Sequence, residues 1–331
     1  GCTIDGGGPS YIGQNLIISL GNGVIVKNST IQNGASTGVG ISASNNVVLM
    51  WDSITGNLGS AIYGQDSISG LEISGNDIDS TSISNPGGLD TIGIHTSNPG
   101  GYASNIVIHD NTIVHAGSNF AIEIGSFGIG SQPPNGVSVF NNNIRLAVPS
   151  NGAISLSSCN NGIVSNNNIN AGGFPMTIDA IELASVAGMT ADSNIIHNTA
   201  PGTTYTAALN GSSNNSFTNN TMEGGIYVGT SSFAMPNVNG NTIKGNTMTA
   251  PANSILSRGL VWLQCNVPSC SVSQNVITSN VLTGNASGPG INFENDYGLQ
   301  GGVMDSNTAS GNQITGAVVP INIGTNVNRT N

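Results

Sequence analysis

Residues 136–169 read GVSVFNNNIRLAVPSNGAISLSSCNNGIVSNNNI, and this stretch holds one repeat and the beginning of its copy. The triplet NNI at 142–144 returns at 167–169, and a second apolar run, GAISL at 152–156, lies between the two copies. A repeat of a few tens of residues is typical of solenoid proteins. The stretch therefore predicts one coil of a parallel β-solenoid and the first strand of the next coil.

The same anchor recurs along the whole chain, as a polar residue shortly before a buried apolar one. The apolar anchors lie roughly 23 to 35 residues apart and are Ile31, Ile54, Ile78, Ile113, Ile144, Ile169, Ile195, Met222, Met248, Leu282 and Ala309. Asn is the commonest polar partner, and one Asn per coil can bond to the Asn of the next coil, which satisfies buried amides along the stack. We therefore predict about eleven coils with an internal asparagine ladder.

Within each repeat the pattern is that of strands. Runs such as 71–73, 106–108 and 138–140 alternate with a period near 2, and Gly, Asn and Ser separate them. No stretch has a convincing amphipathic helical pattern. We therefore predict an all-β chain in which residues 1–331 form one domain, because solenoids grow by adding coils. An N-terminal cap is expected upstream of residue 1, and residues 310–331 are expected to form the last coil and a tail.

These motifs make the chain similar to the right-handed parallel β-helix proteins of the pectate-lyase-like superfamily. The resemblance covers nearly the full length and rests on the Asn-x-Ile repeats, on strands such as Ile92-Gly93-Ile94, and on the opening CTIDGGG at 2–8. It implies a right-handed parallel β-helix and, by analogy, activity on polysaccharides. The motifs do not identify one family within the superfamily.

The composition narrows the classes of partner. The formal net charge is -11, only 6% of the residues are charged, and five are Lys or Arg. Nucleic acids and anionic membranes need a basic surface, so neither is an expected partner. No apolar run is long enough to insert into a bilayer. We expect a secreted or cell-surface protein that meets a polysaccharide or a cell-surface glycan, with a local disulfide between Cys265 and Cys270.

One strand in each coil carries an outward side chain between two apolar ones. In chain order these positions are Gly40, Gly93, Glu123, Ser155, Glu182, Tyr227, Trp262 and Asn292. His95 and Glu294 lie two residues further along their strands, and Asp90 and Asp179 lie just before theirs. This face holds the densest set of acids, His and aromatic residues that the sequence places together.

The acids on this face predict a hydrolytic site. If one coil separates Glu123 from Glu182, their backbones lie about 9.6 Å apart, close to the 6.5–9.5 Å or so that separates the carboxyls of inverting glycosidases. We therefore predict Glu123 and Glu182 as the catalytic pair, supported by Asp179 and Asp90. The residues predicted to bind substrate are His95, Tyr227, Trp262, Arg258 and Glu294. The sequence predicts neither a metal site nor a cofactor.

This sequence lacks the residues that perform two better-known reactions of this superfamily. The segment 90–94 resembles the corresponding part of polygalacturonases, but the paired Asp of that family is replaced by the run GSNF at 117–120. Polysaccharide lyases need a base with a neutralising cation, and only Arg258 lies near the predicted site. Glycoside hydrolysis is therefore favoured over elimination.

A non-catalytic role remains open beside the enzymatic one. Low charge, stacked Asn and missing family motifs are equally consistent with an adhesin, a spike or a filament subunit. An open solenoid end presents unpaired strand edges, which predicts self-association through the ends. Sugar binding without assembly is a third alternative.

Overall fold

The computed structural model describes residues 1–8, 13–81, 89–200, 205–230, 236–251, 254, 257–325 and 327. The chain divides into two compact units, Gly1–Thr177 (unit 1) and Ile178–Asn331 (unit 2). Each unit is a right-handed parallel β-solenoid with three strands per coil, and together they comprise about eleven turns. The described residues contain no α-helix. No helical segment among them is long and apolar enough to cross a bilayer. That residues 1–331 form one domain stays a prediction, and residues 326 and 328–331 of the predicted tail lie outside the described part.

Unit 1 forms three parallel sheets from the strands of successive coils. The first sheet contains β1 (Thr3–Asp5), β4 (Thr30–Gln32), β7 (Ser53–Thr55), β10 (Asp77–Asp79), β13 (Thr112–His115), β16 (Asn143–Leu146) and β19 (Asn168–Asn170). The second contains β2 (Leu16–Ser19), β5 (Val39–Ser42), β8 (Ile62–Gln65), β11 (Ile92–Thr96), β14 (Phe120–Ser126) and β17 (Gly152–Ser157). The third contains β3 (Ile25–Lys27), β6 (Asn45–Met50), β9 (Ile68–Ser74), β12 (Ala103–His109), β15 (Asn135–Phe140) and β18 (Asn160–Ser165).

Unit 2 repeats the same three-sheet plan. The first sheet contains β22 (Ile195–His197), β25 (Thr221–Glu223), β28 (Thr247–Thr249), β31 (Val281–Thr283) and β34 (Gln313–Thr315). The second contains β20 (Ile181–Ala184), β23 (Tyr205–Asn210), β26 (Gly225–Gly229), β29 (Val261–Cys265), β32 (Ile291–Asn295) and β35 (Ile321–Ile323). The third contains β21 (Ala187–Asp192), β24 (Ser216–Thr218), β27 (Thr242–Lys244), β30 (Val276–Thr278) and β33 (Thr308–Ser310). A 3-10 turn, Gly298–Gln300, follows β32.

The core of each unit is a set of apolar stacks that run from coil to coil. In unit 1, Ile78 pairs in register with Ile54 on one side and Ile113 on the other, and all three are fully buried. A one-residue slip would turn such a row outward, so the apolar pattern fixes the register of the sheets. The outward row of the same strands is thereby fixed as well.

The predicted asparagine ladder is present in unit 1. The Nδ2 atom of Asn76 donates to Oδ1 of Asn111 at 2.9 Å, Asn111 donates to Asn142 at 2.9 Å, and Asn142 donates to Asn167 at 3.0 Å. These amides are almost fully buried, and each also serves the backbone at its corner. The ladder therefore satisfies buried polar groups that would otherwise destabilise the coil corners.

Unit 2 has two ladders where the sequence predicted one. Its first ladder is Asn194–Asn220–Asn246–Asn280–Asn312, and its second is Asn215–Asn241–Asn275–Asn307. The predicted anchor at Ile195 is wrong by one residue, since Ile195 is 50% exposed and Ile196 is 1% exposed. The predicted anchor Ala309 follows Asn307 of the second ladder, so it lies on β33 of the third sheet. Asn241 and Asn246 thus lie five residues apart at two different corners of one coil.

The predicted local disulfide is confirmed. Cys265, at the end of β29, is bonded to Cys270, and their Cα atoms lie 5.7 Å apart. The other two cysteines are free thiols, Cys2 on the surface and Cys159 in the core. The disulfide therefore closes the loop of four residues, 266–269, that follows β29.

Candidate active site

The outward column of unit 1 lies on its second sheet and includes one residue that the sequence pattern missed. Gly40 pairs with Tyr63, Tyr63 with Gly93, Gly93 with Glu123, and Glu123 with Ser155. Tyr63 was missed because Gly64 interrupts the apolar-x-apolar pattern of its strand. The column therefore places a tyrosine, a glycine and a glutamate on three adjacent strands, β8, β11 and β14.

Three titratable side chains converge around Gly93. The ring nitrogen Nε2 of His95 lies 3.1 Å from Oε2 of Glu123 and 3.4 Å from Oδ2 of Asp90. Their side chains are 16%, 11% and 3% exposed, respectively. Nε2 makes no aligned hydrogen bond within the described residues, so both contacts are ion pairs when the ring is protonated. We call Asp90, His95 and Glu123 the acid–histidine cluster.

Asn119, just before β14, fixes both carboxyl groups of the cluster. Its Nδ2 atom donates to Oδ1 of Asp90 at 2.7 Å and to Oε2 of Glu123 at 2.8 Å. Its own Oδ1 accepts a hydrogen bond from Asn151 at 2.7 Å, which sets the orientation of the amide. The two carboxyls are thus bridged by one side chain that is itself held in place.

Two aromatic side chains hold the imidazole of His95. Its ring lies edge-on to Tyr63 and Phe127, with centroid distances of 5.3 and 4.7 Å. The Tyr63 hydroxyl lies 3.4 Å from Nδ1. A Cβ atom at Gly93 would lie 3.0 Å from Asp90 Oδ2 and 3.4 Å from His95 Nε2. The missing side chain at Gly93 therefore leaves the space in which the cluster assembles.

The surroundings of Asp90 and His95 shift the pKa values of both side chains. Burial raises the pKa of Asp90 to about 6, although the nearby His95 opposes the shift. Burial lowers the pKa of His95, but Asp90 and Glu123 outweigh this effect and raise the pKa to about 9. At mildly acidic pH the cluster therefore holds one proton on the Asp90 carboxyl and an additional one on the imidazole.

A second histidine supports the loop behind the cluster. His115 is fully buried, its Nδ1 lies 2.8 Å from Oγ1 of Thr91, and its Nε2 lies 3.2 Å from the backbone oxygen of Asn119. Burial lowers the pKa of His115 to about 4, so the ring is neutral at physiological pH. A neutral ring can accept from Thr91 at one nitrogen and donate to Asn119 at the other.

The cluster opens to solvent through a pocket of about 270 Å³. Its lining is formed by Thr37, Ser60, Tyr63, Leu89, Asp90 and His95. Hydroxyl groups and a carboxyl group therefore share the opening with an aromatic ring. Such a mixture of polar and apolar groups is typical of sites that bind small polar rings.

The cluster is also the group of described residues whose geometry could hold a metal ion. One ligand atom each from Asp90, His95 and Glu123 lies within 4.8 Å of the others. A metal ion would have to displace the proton from His95, whose pKa is raised to about 9.

Unit 2 contains the other predicted acids. Glu182, on β20, accepts a hydrogen bond from Asn210 at 3.0 Å. Asp179 lies just before β20, and burial, helped by the negative charge of Glu182, raises its pKa to about 7. The predicted pairing of Glu123 with Glu182 joins residues of two different units and stays a prediction.

The predicted binding residues of unit 2 surround an aromatic cluster. Tyr227 and Trp262 pair in register on β26 and β29, with ring centroids 4.9 Å apart. Tyr205, which the sequence pattern missed, lies 5.6 Å from Trp262 and 6.1 Å from Tyr227. Arg258 lies over the Trp262 ring at 4.8 Å and forms an ion pair with Glu294. Of the nine predicted site residues, unit 1 thus brings three together and unit 2 holds the other six.

Comparisons with known proteins complete the description. No protein-family model matches the sequence, and no curated protein matches it. Among solved structures, the chain is similar to an alginate lyase from Paenibacillus sp. str. FPU-7, with 14% identity, a TM-score of 0.45 and 99% of each chain covered. It is also similar to the A-module of the mannuronan C-5 epimerase AlgE4 from Azotobacter vinelandii, with 12% identity, a TM-score of 0.44, and 92% of this chain and 82% of that one covered.

Proposed function

We propose that this protein is a glycoside hydrolase that acts on a polysaccharide at the acid–histidine cluster of unit 1. The observation that carries the proposal is the convergence of two carboxyl groups, bridged by Asn119, at the mouth of a polar pocket. Hydrolysis of a glycosidic bond needs two carboxyl groups with different roles. Their different environments supply that difference here.

Asp90 is the general acid in this proposal. Its pKa of about 6 leaves the carboxyl protonated at mildly acidic pH, so it can give a proton to the glycosidic oxygen as the bond breaks. Glu123 then attacks the anomeric carbon, and the resulting ester is hydrolysed by a water molecule that passes its proton back to Asp90. The positive charge of His95, 3.1 Å from Glu123, stabilises that carboxylate whenever it is the leaving group.

The spacing of the pair makes a stereochemical prediction. Oxygen atoms of Asp90 and Glu123 lie within 4.8 Å of each other. Retaining glycosidases separate their carboxyls by about 5–5.5 Å and inverting ones by about 6.5–9.5 Å. The Asp90–Glu123 pair therefore predicts retention of anomeric configuration. The Glu123–Glu182 pair predicted from the sequence implies inversion, so the configuration of the first product distinguishes the two assignments.

The charge of the chain favours hydrolysis over elimination. Elimination by lyases requires a uronate, and a chain with a formal net charge of -11 repels polyanions. The only basic group in the acid–histidine cluster is His95, which is already paired with two carboxyl groups. We therefore propose a neutral or weakly charged glycan as substrate. The disulfide between Cys265 and Cys270 supports a secreted location for this activity.

A structural role is the second candidate function. Only 6% of the residues are charged, and a weakly charged solenoid with stacked Asn corners is also consistent with a fibre or filament subunit. A second copy of this chain is the proposed partner, and sedimentation at increasing concentration tests for that assembly.

A panel of neutral and uronate-containing polysaccharides tests the enzymatic proposal. We expect new reducing ends from at least one neutral polysaccharide, without the ultraviolet absorbance of unsaturated products. Absorbance at the cleaved ends would show elimination and contradict the assignment. No cleavage of any member, together with concentration-dependent assembly, would favour the structural role.

A further inference from the structure

We propose that unit 2 carries its own binding site for neutral sugar rings, formed by the aromatic cluster of Tyr205, Tyr227 and Trp262. The site is built entirely from unit 2 and does not depend on the chemistry of Asp90 and Glu123. It would hold a glycan chain without cleaving it, whether or not the acid–histidine cluster is catalytic.

The three rings form an apolar surface on the outward face of the second sheet. They lie on adjacent strands, each residue is only partly buried, and the ring centroids lie 4.9 to 6.1 Å apart. The C–H faces of a sugar ring pack well on such aromatic groups, because each partner has one apolar and one polar side. Apolar rings on an outward sheet face have no role in the core of the solenoid, so a ligand accounts for their position.

Polar groups frame the rings on one side. Glu294 Oε2 accepts hydrogen bonds from Trp262 Nε1 at 2.8 Å and from Arg258, whose side chain is 45% exposed. A guanidinium and a carboxylate held side by side present donors and an acceptor to neighbouring sugar hydroxyls. Gln264 adds an amide, which contacts the Tyr227 hydroxyl at 3.3 Å. The polar groups of Arg258, Glu294 and Gln264 would therefore bind the hydroxyl groups of a sugar whose ring packs on the aromatic surface.

The hydroxyl of Tyr205 supplies a second, independent observation. It is buried and makes no hydrogen bond within the described part of the chain. A buried hydroxyl without a partner carries a free-energy cost. A ligand hydroxyl that accepts a hydrogen bond from Tyr205 would remove this cost. The Tyr205 hydroxyl is therefore a hydrogen-bond donor in position for a polar ligand.

The surrounding charges favour a neutral ligand. Burial raises the pKa of Tyr205 and of Tyr227. The negative charge of Glu294 raises both further and that of Asp296 raises the pKa of Tyr227, whereas Arg258 lowers the pKa of Tyr205. The one cation of the frame, Arg258, is already paired with Glu294. A uronate would meet net negative charge here, whereas a neutral hexose or pentose would not.

The two tryptophans of the chain give a direct test, since one lies in each unit. Trp51, in unit 1, is 61% exposed, and Trp262 is the reporter in the proposed site. In an Asp90→Asn, Trp51→Phe chain, only Trp262 contributes tryptophan fluorescence and Asp90 cannot give a proton to the ligand. We expect at least one hexasaccharide from a neutral set (cello-, manno-, xylo- and malto-series) to change this fluorescence saturably. A hexamer of a uronic acid should cause no change.

Matched variants complete the test by calorimetry with the same hexasaccharide. Trp262→Ala should weaken the affinity at least tenfold, Tyr205→Phe should weaken it less, and Trp51→Ala should leave it unchanged. No response to any neutral hexasaccharide, preference for the uronate, or equal loss from Trp51→Ala would overturn the proposal. Because the fluorescence test uses the Asp90→Asn chain, binding without hydrolysis by wild type would refute only the proposed enzymatic function.

Discussion

Units 1 and 2 use one position of the coil in different ways. Asp90 lies two residues before Ile92, the start of β11, and Asp179 lies two residues before Ile181, the start of β20. Asp90 faces the imidazolium of His95, whereas the charged neighbour that shifts Asp179 is Glu182. The same backbone position thus holds an acid beside a cation and a pocket in unit 1, and a neutral carboxyl near aromatic rings in unit 2. The outward residues of neighbouring strands, not the coil itself, decide the chemistry.

The largest expected effect comes from the second carboxyl of unit 1. Glu123→Gln should lower kcat/KM on a cleaved glycan by about 10³-fold or more, because an amide is a poor nucleophile in the step proposed for Glu123. The exposed Asp77, on the first sheet of the same unit, supplies the control variant Asp77→Asn. Retention of more than a tenth of the activity by Glu123→Gln would remove Glu123 from the reaction.

The pH dependence of wild type should show the proton on Asp90. We expect kcat/KM to fall about tenfold per pH unit above pH 6, since Asp90 loses its proton there. His95 lowers the pKa of Asp90, so His95→Gln should move this limb to higher pH as well as slow the reaction. A rate that stays constant from pH 5 to 8 would contradict the acid role.

A smaller effect, on stability, should come from Asp179 in unit 2. Its pKa is about 7 in the folded chain against 3.8 ordinarily, so the folded state loses stability as pH rises from about 4 to 7. Asp179→Asn should therefore raise the free energy of unfolding at pH 8 by about 2–4 kcal/mol and change it little at pH 4. Urea denaturation at the two pH values measures this difference.

The control for this prediction is Asp192, which has the opposite shift. Partial burial raises the pKa of Asp192, but hydrogen bonds from Thr218, Ser193 and Asn219 together outweigh it and hold the pKa below its ordinary value. Asp192→Asn should therefore not stabilise the chain at pH 8. Equal stabilisation by both variants would mean that net charge, rather than burial of Asp179, is responsible.

The fold could be predicted because its causes repeat in the sequence. Apolar pairs such as Ile113 and Ile144, and ladder residues such as Asn111 and Asn142, recur once per coil and specify their own register. The second ladder of unit 2 was missed because its Asn residues recur with the same period at another corner. Spacing between repeats cannot distinguish two corners of one coil.

The candidate site could be predicted only in part. Alternation along the strands placed Glu123 and His95 on the outward face, and Asp90 just before its strand. Asn119 was not predicted because it lies in the connection before β14, where the sequence has no repeating pattern. Its role depends on donating to the carboxyl groups of Asp90 and Glu123 at once, which sequence spacing does not show. The packing of Tyr63 and Phe127 against His95 likewise depends on side-chain directions that strand patterns do not contain.

The most direct test compares the two equivalent aspartates in one assay. Asp90→Asn and Asp179→Asn are assayed at pH 5 on the same neutral polysaccharide, with reducing ends as the readout and circular dichroism to confirm folding. We expect a loss of about 10²–10⁴-fold for Asp90→Asn, the range usual for a missing general acid, and less than tenfold for Asp179→Asn. Equal losses, or a larger loss from Asp179→Asn, would contradict the assignment of the chemistry to unit 1.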